Sequence, residues 1–442
     1  MAIADQVKEC GVVGAGGAGF PTHVKLGARA DTVIVNGVEC EPLLASDKHL
    51  MGAESRKIAS GLEIVMQSCG AKSGYIALKK KHGRLIEAMR DAVKGKANIE
   101  VFPVDDFYPA GDELVLVHEV TGRVVPEGGI PPQVECLVDN VETVLNVHEA
   151  VVGGRPVTRR YLTCAGEVKR PSIVKAHIGT SVGEILSLCG GPTVEDFVFV
   201  VGGPLMGNVA TDLDLPVTKT TSGIIVLPRC HALVRRKTVP IEVMLKLSRA
   251  ACCQCMYCTD LCPRALLGHG IEPHRIMRQV NYGIDFPPAA AESAALCSGC
   301  GLCEVYACVM GISPCAVNKV IKNRFASAGV KPSFGKKTIA PSPMAAYRRI
   351  PSGRIAERLG IGRYAERGLW GFIETSPARV EIPLRQHVGE PAVPVVRKGE
   401  RVGEGSLLAA VPGGKTGAPV HASIGGTVLL VDEERVIIGR SG

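Results

Sequence analysis

Aromatic residues are scarce: one Trp, eight Tyr and nine Phe, 4% of a 442-residue chain. The basic stretches therefore lack the stacking platforms on which single-stranded nucleic acid is bound, and no nucleic acid partner is expected. Long apolar runs are missing too. The longest, such as Phe197 to Val201 and Ile224 to Pro228, are strand-sized, far short of the ~18 residues that mark a transmembrane segment. The opening MAIADQVKECGVVG has no apolar core behind a basic region. No signal peptide is expected, and the chain reads as soluble or peripheral on a membrane. In a large chain of this kind, seventeen cysteines read as reduced thiols in a cytoplasm-like compartment rather than as a disulfide framework. Neither a Ser/His/Asp triad nor a zinc-protease motif is present, so hydrolytic chemistry has no obvious residues to run on.

What the chain does have is length for about three domains, 46% hydrophobic residues, and 52 Gly with 29 Pro. That composition favours compact α/β and all-β modules with many turns. The net charge of +8 is uneven: residues 316 to 380 hold thirteen Lys or Arg against three acids. Such a stretch is either a solvated helical face or a surface that steers an acidic partner.

The strongest motif lies past the midpoint. Cys252, Cys255, Cys258 and Cys262 form Cys-x2-Cys-x2-Cys-x3-Cys-Pro, the run with which bacterial ferredoxins hold a [4Fe–4S] cubane. A second triad with the same spacing follows at Cys297, Cys300 and Cys303, with Cys308 beyond it. Three thiolates two residues apart can turn from one loop onto three corners of a cubane, and in two-cluster ferredoxins the fourth comes from the other motif. Cys252, Cys255, Cys258 and Cys308 are thus assigned to one cluster, and Cys297, Cys300, Cys303 and Cys262 to the other. Structural zinc is the competing reading, but it favours two separated Cys-x2-Cys pairs. Two departures mark the second motif: four residues, not three, separate Cys303 from Cys308, and Val309 stands where Pro is usual. Cys253 and Cys315 fall off the pattern and read as bystanders; His269 and His274 read as packing or surface residues.

At the other end, Gly14, Gly16 and Gly19 satisfy Gly-x-Gly-x-x-Gly, with Gly17 between them. The clear strand, Thr32 to Val35, comes after these glycines, whereas the usual dinucleotide fingerprint needs it before them. Some other nucleotide-binding geometry is implied, or a glycine-rich turn only. NGVECEPLLASD then places Glu39 and Glu41 just past the strand end, where open α/β sheets bind ligands.

GAGGAGFPTHVK, NGVECEP, YPAGDE and VDNVETVLNV, in that order, resemble the flavin- and NADH-binding subunit family of respiratory complex I over most of residues 8 to 150. The resemblance implies that Gly14, Gly16, Lys25, Asn36, Tyr108, Gly111, Asp112, Asn140 and Thr143 neighbour FMN, with Gly17 and Gly19 in the same loop. It implies Phe20, Glu39, Glu41 and Glu113 for NADH. Ala15, Val38, Asp112 and Asp139 depart from that family's Arg, Asp, Glu and Asn.

Residues 160 to 216 look like a β-grasp, soluble-ligand-binding module with one helix, Ser181 to Cys189, N-capped by Ser181. The last sixty residues resemble a barrel-sandwich carrier module, although Lys415 in GGKTGAP lacks the local sequence of a lipoyl or biotinyl site. The expected architecture is multidomain α/β. A Rossmann-like FMN/NADH domain spans 1–155, a β-grasp domain 156–240 and an α-helical two-cluster ferredoxin-like domain 241–325. A basic connecting segment covers 326–379 and an all-β barrel-sandwich module 380–442.

This set of modules resembles the C-subunit family of electron-transport complexes. With the sandwich last rather than first, it looks like the cobalamin reductases of propanediol-utilisation microcompartments. The resemblance implies electron flow from NADH through FMN and two [4Fe–4S] clusters to cobalamin or another acceptor. It also implies a cytoplasmic site inside a bacterial microcompartment, and a shell protein or corrinoid adenosyltransferase as further partner. The alternatives are a peripheral NADH-oxidising subunit of a membrane ion-pumping complex, or a shell-docked electron conduit whose flavin site is vestigial.

Overall fold

Four short apolar runs of the first 150 residues become a parallel sheet in the computed structural model, which describes residues 1–282, 289–334 and 339–440. Gly283, the end of the expected helical stretch between the cysteine motifs, and residues 284–288, 335–338 and 441–442 of the expected modules lie outside them. The strands are β1 (Thr32–Asn36), β2 (Ser73–Lys79), β3 (Ile99–Val104) and β4 (Cys136–Asn140), in the order β3-β2-β1-β4. Successive residues of β1 feed opposite faces, as strand geometry requires. Val33 and Val35 join Ile58, Leu62 and Val144 of the helices Ser55–Cys69 and Val141–Gly153. Ile34 joins Val115 and Leu116 of the helix Glu113–Thr121. With both faces covered, β1 reads as an unbroken apolar run. From β1 the chain builds outward to β2 and β3, then returns to place β4 on the other side of β1. That reversal creates a crevice at the carboxyl ends of β1 and β4.

The second sheet is mixed, with β5 (Arg159–Gly166), β6 (Ser172–His177), β7 (Phe197–Val201), β8 (Asn208–Ala210), β9 (Gly223–Pro228) and β10 (Gly371–Glu374) in the order β10-β6-β5-β9-β7-β8. One helix, Val182–Leu188, packs on it, and the Ser181 hydroxyl caps that helix by accepting from the Glu184 amide at 3.2 Å. The edge strand β10 arrives from nearly two hundred residues downstream and pairs in parallel with β6.

Part of the basic segment that delivers β10 is tied down against other modules. Arg348 pairs with Asp260 at 3.0 Å, Arg349 with Glu119 at 2.6 Å and Asp105 at 3.3 Å, and Arg363 with Glu167 at 2.7 Å. Ile350, Ile355, Leu359 and Tyr364 sink into one core with Leu227 of the β-grasp sheet and Leu302 beside the second cysteine triad. The segment is a strap across three modules.

The last module folds as two small antiparallel sheets. One holds β11 (Arg379–Pro383), β13 (Arg401–Val402), β16 (Gly426–Val431) and β17 (Arg435–Gly439); the other holds β12 (Val393–Pro394), β14 (Leu407–Ala410) and β15 (Val420–His421). Its core residues Ile382, Leu408, Val420 and Val436 form one continuous cluster with Val7, Val12 and Leu26 of the first module. The end of the chain thus closes over its beginning.

Candidate electron-transfer site

The residues nominated from the first 150 positions converge on the β1/β4 crevice. Asn36 ends β1 and Asn140 ends β4, directly opposite one another. Asn36 donates to the Gly111 carbonyl at 2.9 Å. Asn140 caps the helix Val141–Gly153, accepting from the Glu142 amide, and its amide group donates to Asp47 at 2.7 Å. Thr143, one turn later, accepts from the Ala15 amide at 2.9 Å and so ties the glycine loop to the helix Val141–Gly153. That loop is closed as a hairpin: the Gly14 amide donates to the Phe20 carbonyl at 2.8 Å, and Val13 bridges Pro21. It is not a strand-to-helix turn. Gly16 and Gly17 stay exposed; a side chain at Gly17 would meet nothing within 4 Å, and one at Gly16 only Asn140 at 3.5 Å. A bare backbone facing an asparagine across open space leaves room for a flat ring or a phosphate, so the residues fit FMN here. Gly19 is instead packed against Thr220, Gln386 and His387 of the second and last modules.

Charge is concentrated in this crevice. Lys25 donates to the Val138 carbonyl at 2.8 Å and pairs with Asp139 at 3.4 Å and Glu113 at 3.5 Å. Burial works against its charge, yet the two carboxylates hold its pKa above the ordinary lysine value. Burial raises the Asp139 and Glu113 carboxyls, with Lys25 opposing. Glu39 accepts from the Ser46 hydroxyl and the Asp47 and Lys48 amides, which anchors it at the start of the helix Ser46–Ala53. Glu41 turns away from the glycine loop. Its two oxygens accept from the Leu205 and Met206 amides at 2.9 and 2.8 Å, clamping the β-grasp sheet to the first module.

Two residues that sequence reasoning did not nominate complete the site: Arg160 supports the glycine loop, and Asp47 holds Asn140. Arg160, on β5, donates to the Ala15 carbonyl at 2.8 Å and forms a buried ion pair with Glu142. Asp47 is pushed up to about 8 by burial and by its neighbour Glu39. Only the fold brings Arg160, 145 positions away, to Ala15.

The eight motif cysteines gather into two nests. Cys252, Cys255, Cys258 and Cys308 line one small cavity of about 30 Å³ near the surface. Burial first, then Cys255, Cys308 and Cys252, push the Cys258 thiol up to about 12. The second nest joins Cys262 to the other triad: Cys300 is raised by burial and then by Cys262, with Cys297 contributing, and burial pushes Cys262 itself up to about 11. Cys300 and Cys303 are buried, whereas Cys255 is exposed, so one nest is inner and the other outer. Among the described residues, no three His, Cys, Asp or Glu side chains converge on a single-ion site. Four thiols around the outer cavity suit a body with several corners, and the donor set of each nest, four cysteines, fits an iron–sulfur cubane.

Backbone conformation explains both the inward turn and the irregular spacing. Gln254 and Met256 take left-handed φ of 53° and 68°, and their counterparts Gly299 and Gly301 both take 74°. The extra residue after Cys303 is absorbed in a π-turn, Cys303–Ala307, where the Cys308 amide donates to the Cys303 carbonyl five residues back at 3.1 Å. Cys308 therefore still reaches the outer nest. The His269 ring donates to the Val125 carbonyl at 3.0 Å; the His274 ring meets the Thr259 hydroxyl at 2.8 Å and lines the outer cavity.

The flavin-side turn touches the inner nest directly. Tyr108, fully buried, donates its hydroxyl to the Cys300 carbonyl at 2.6 Å. Asp112 caps the helix Glu113–Thr121 and pairs with Arg264, two residues past Cys262, at 2.5 Å.

Comparison with known proteins agrees module by module. Residues 7–149 match the Nuo51 FMN-binding domain, 161–209 the SLBB domain, 251–313 the 4Fe-4S dicluster domain and 373–441 the RnfC barrel sandwich hybrid domain. Cobalamin reductase PduS of Citrobacter freundii is 42% identical over 99% of this chain and 96% of its own length, and that of Salmonella typhimurium matches equally. One component of the Na(+)-translocating ferredoxin:NAD(+) oxidoreductase complex of Acetobacterium woodii is 36% identical over 59% of this chain and 58% of its own. The protein is an FMN- and iron–sulfur-dependent oxidoreductase, and with two members matched over nearly their full length the chain belongs to the cobalamin reductase PduS family.

Proposed function

We propose that the chain oxidises NADH at FMN in the β1/β4 crevice and passes electrons through two [4Fe–4S] clusters to cobalamin, inside a bacterial microcompartment. The observation that carries this reading is the turn 108–113, which contributes to the flavin crevice through Gly111 and Glu113 and to the inner nest through Tyr108 and Asp112. When bound, FMN accepts two electrons as hydride and releases them singly. The chain's own residues position and shield. Lys25, Asn36, Gly111, Asn140 and Thr143 would frame the flavin position, and Phe20, Glu39 and Glu113 would serve the nicotinamide cofactor; Glu41 holds the β-grasp wall. Cys262, Cys297, Cys300 and Cys303 would hold the cluster on the flavin side. Cys252, Cys255, Cys258 and Cys308 would hold the one nearer solvent, where Met256, Tyr257, Val309 and Met310 are exposed. Cobalamin as acceptor rests on the names of the full-length relatives.

The test is anaerobic purification with iron, sulfide and flavin analysis, followed by NADH titration read by absorbance and EPR. Bleaching of the flavin band together with reduced-cluster signals is expected. Cluster reduction by dithionite alone would overturn the NADH path and favour the conduit reading. The likeness to the Acetobacterium woodii protein supports a second reading, a peripheral subunit of a membrane complex. Stable copurification with membrane proteins would favour that one. Among the described residues, no helix is long and apolar enough to cross a membrane itself.

A further inference from the structure

A cavity of about 250 Å³ lies where the turn after β3, the residues behind Cys262 and the strap meet. Neither the glycine loop nor any motif cysteine is in its lining, so it is separate from the sites described above. It does back onto the inner nest. Pro263 follows Cys262 and Leu302 precedes Cys303, and Tyr108, in the same wall, donates its hydroxyl to the Cys300 carbonyl at 2.6 Å. The strap wall is fixed at both ends: the Ser342 amide donates to the Leu266 carbonyl, and the Tyr108 amide to the Ile350 carbonyl, each at 2.8 Å. Pro109, Pro263, Pro341 and Pro343 line the space from three parts of the chain, and their locked φ stiffens it further. The cavity is therefore preformed, as small-molecule sites usually are.

Its chemistry narrows the occupant. The charges in the lining are already paired, Arg348 with Asp260 at 3.0 Å and Arg349 with Glu119 at 2.6 Å, and Arg349 lies flat over the Phe107 ring at 4.6 Å. An ionic ligand would have to break these pairs, so an uncharged one fits. His118 differs from them. Its Nδ1 is buried and, among the described residues, has no hydrogen-bond partner. Such a group is costly unless something in the site bonds it, and an imidazole nitrogen can donate or accept. Size sets the last limit. A cavity of roughly 150 Å³ lined by Leu, Ile and Phe holds benzene, so this one has room for two fused rings but not for a dinucleotide or a whole corrinoid. Pro343 and Ala346 are exposed, which leaves the cavity open to solvent for a ring carried on a larger molecule.

We propose that this cavity binds an uncharged, flat two-ring aromatic compound that presents one ring nitrogen or carbonyl oxygen to His118. Two sources share that chemistry: the benzimidazole base of a corrinoid, and a free naphthoquinone. Only the corrinoid source rests on the acceptor reading proposed above; the site itself does not, and its binding is measured without NADH.

The test is calorimetric titration of the whole chain, reconstituted anaerobically, with 5,6-dimethylbenzimidazole and, separately, with 2,3-dimethyl-1,4-naphthoquinone. Saturable binding of at least one probe at a single site is expected. H118L is expected to bind about tenfold more weakly, the loss of one hydrogen bond, and H118Q, which keeps a donor and an acceptor, to restore most of that loss. A345W, which fills the cavity, is expected to abolish binding at unchanged iron content and unfolding midpoint. Displacement of the benzimidazole by cobalamin but not by cobinamide, which lacks the base, would support the corrinoid source; binding of the naphthoquinone alone would support the free ring. Absence of saturable binding of either probe to the wild type would overturn the proposal. So would wild-type affinity in H118L, which tests the site even where A345W fails to fold.

Discussion

Gly301 and Met256 occupy equivalent places in the two cysteine loops and share a left-handed backbone, but one carries a side chain and the other does not. A non-glycine residue in this region is strained by about 1–2 kcal/mol. The space around Gly301 is open to a methyl group, with nothing nearer than the Glu304 carboxylate at 3.6 Å. Gly301→Ala is therefore expected to cost about 1 kcal/mol, from backbone strain alone, as a lowered unfolding midpoint at unchanged iron content. At Gly299 the neighbouring Lys319 stem adds crowding, and Gly299→Val is expected to cost more. Cys255→Ala removes a ligand of the outer nest. It is expected to lose about half the iron while NADH still bleaches the flavin; loss of flavin reduction in this variant would contradict the separation of the two sites.

At the level of elements, the glycine loop depends on a strand from another module. Arg160 on β5 and Glu142 at the start of the helix Val141–Gly153 are 4% and 2% exposed in their side chains. Removing one partner strands a buried charge, so Glu142→Ala is expected to destabilise by about 3–5 kcal/mol and to weaken flavin retention, measured by denaturant unfolding and by flavin content after gel filtration. The junction of β6 with β10 carries a pH dependence. His177 shares the Thr375 hydroxyl through both its amide and its ring, each at 2.9 Å, and burial lowers its pKa to about 4. The unfolded chain takes up this proton near the ordinary value of 6.5. Stability from His177 is therefore complete above that value and is lost as pH falls from 6.5 toward 4. Unfolding midpoints of wild type and His177→Gln across this range are expected to converge as the pH drops.

Over the whole molecule, first, second and last modules meet at Lys219. Its ammonium group is buried and donates to the Gly11 carbonyl at 2.7 Å and the Pro419 carbonyl at 2.8 Å, and burial lowers its pKa to about 7. The unfolded chain holds this proton up to about 10.5. From about pH 7 upward the unfolded state binds more protons, so this group's contribution to stability rises with pH. Unfolding measured from about pH 7 to 9.5 is expected to lose that slope in Lys219→Met. The two cysteine runs, the order of modules and the residues around the flavin crevice were legible in the chain, because ligand spacing and turn chemistry are local properties. The basic segment reads in the sequence as a solvated or docking face. The places of Arg348, Arg349 and Arg363 lie in partners far away, acids on three other modules. Thus the amino-acid order by itself determined which chemistry the protein carries. Tertiary packing alone decided which nest lies deep, which nominated acid became a clamp, and how flavin turn and cysteines touch, because burial and long-range hydrogen bonds exist only after the chain has closed on itself.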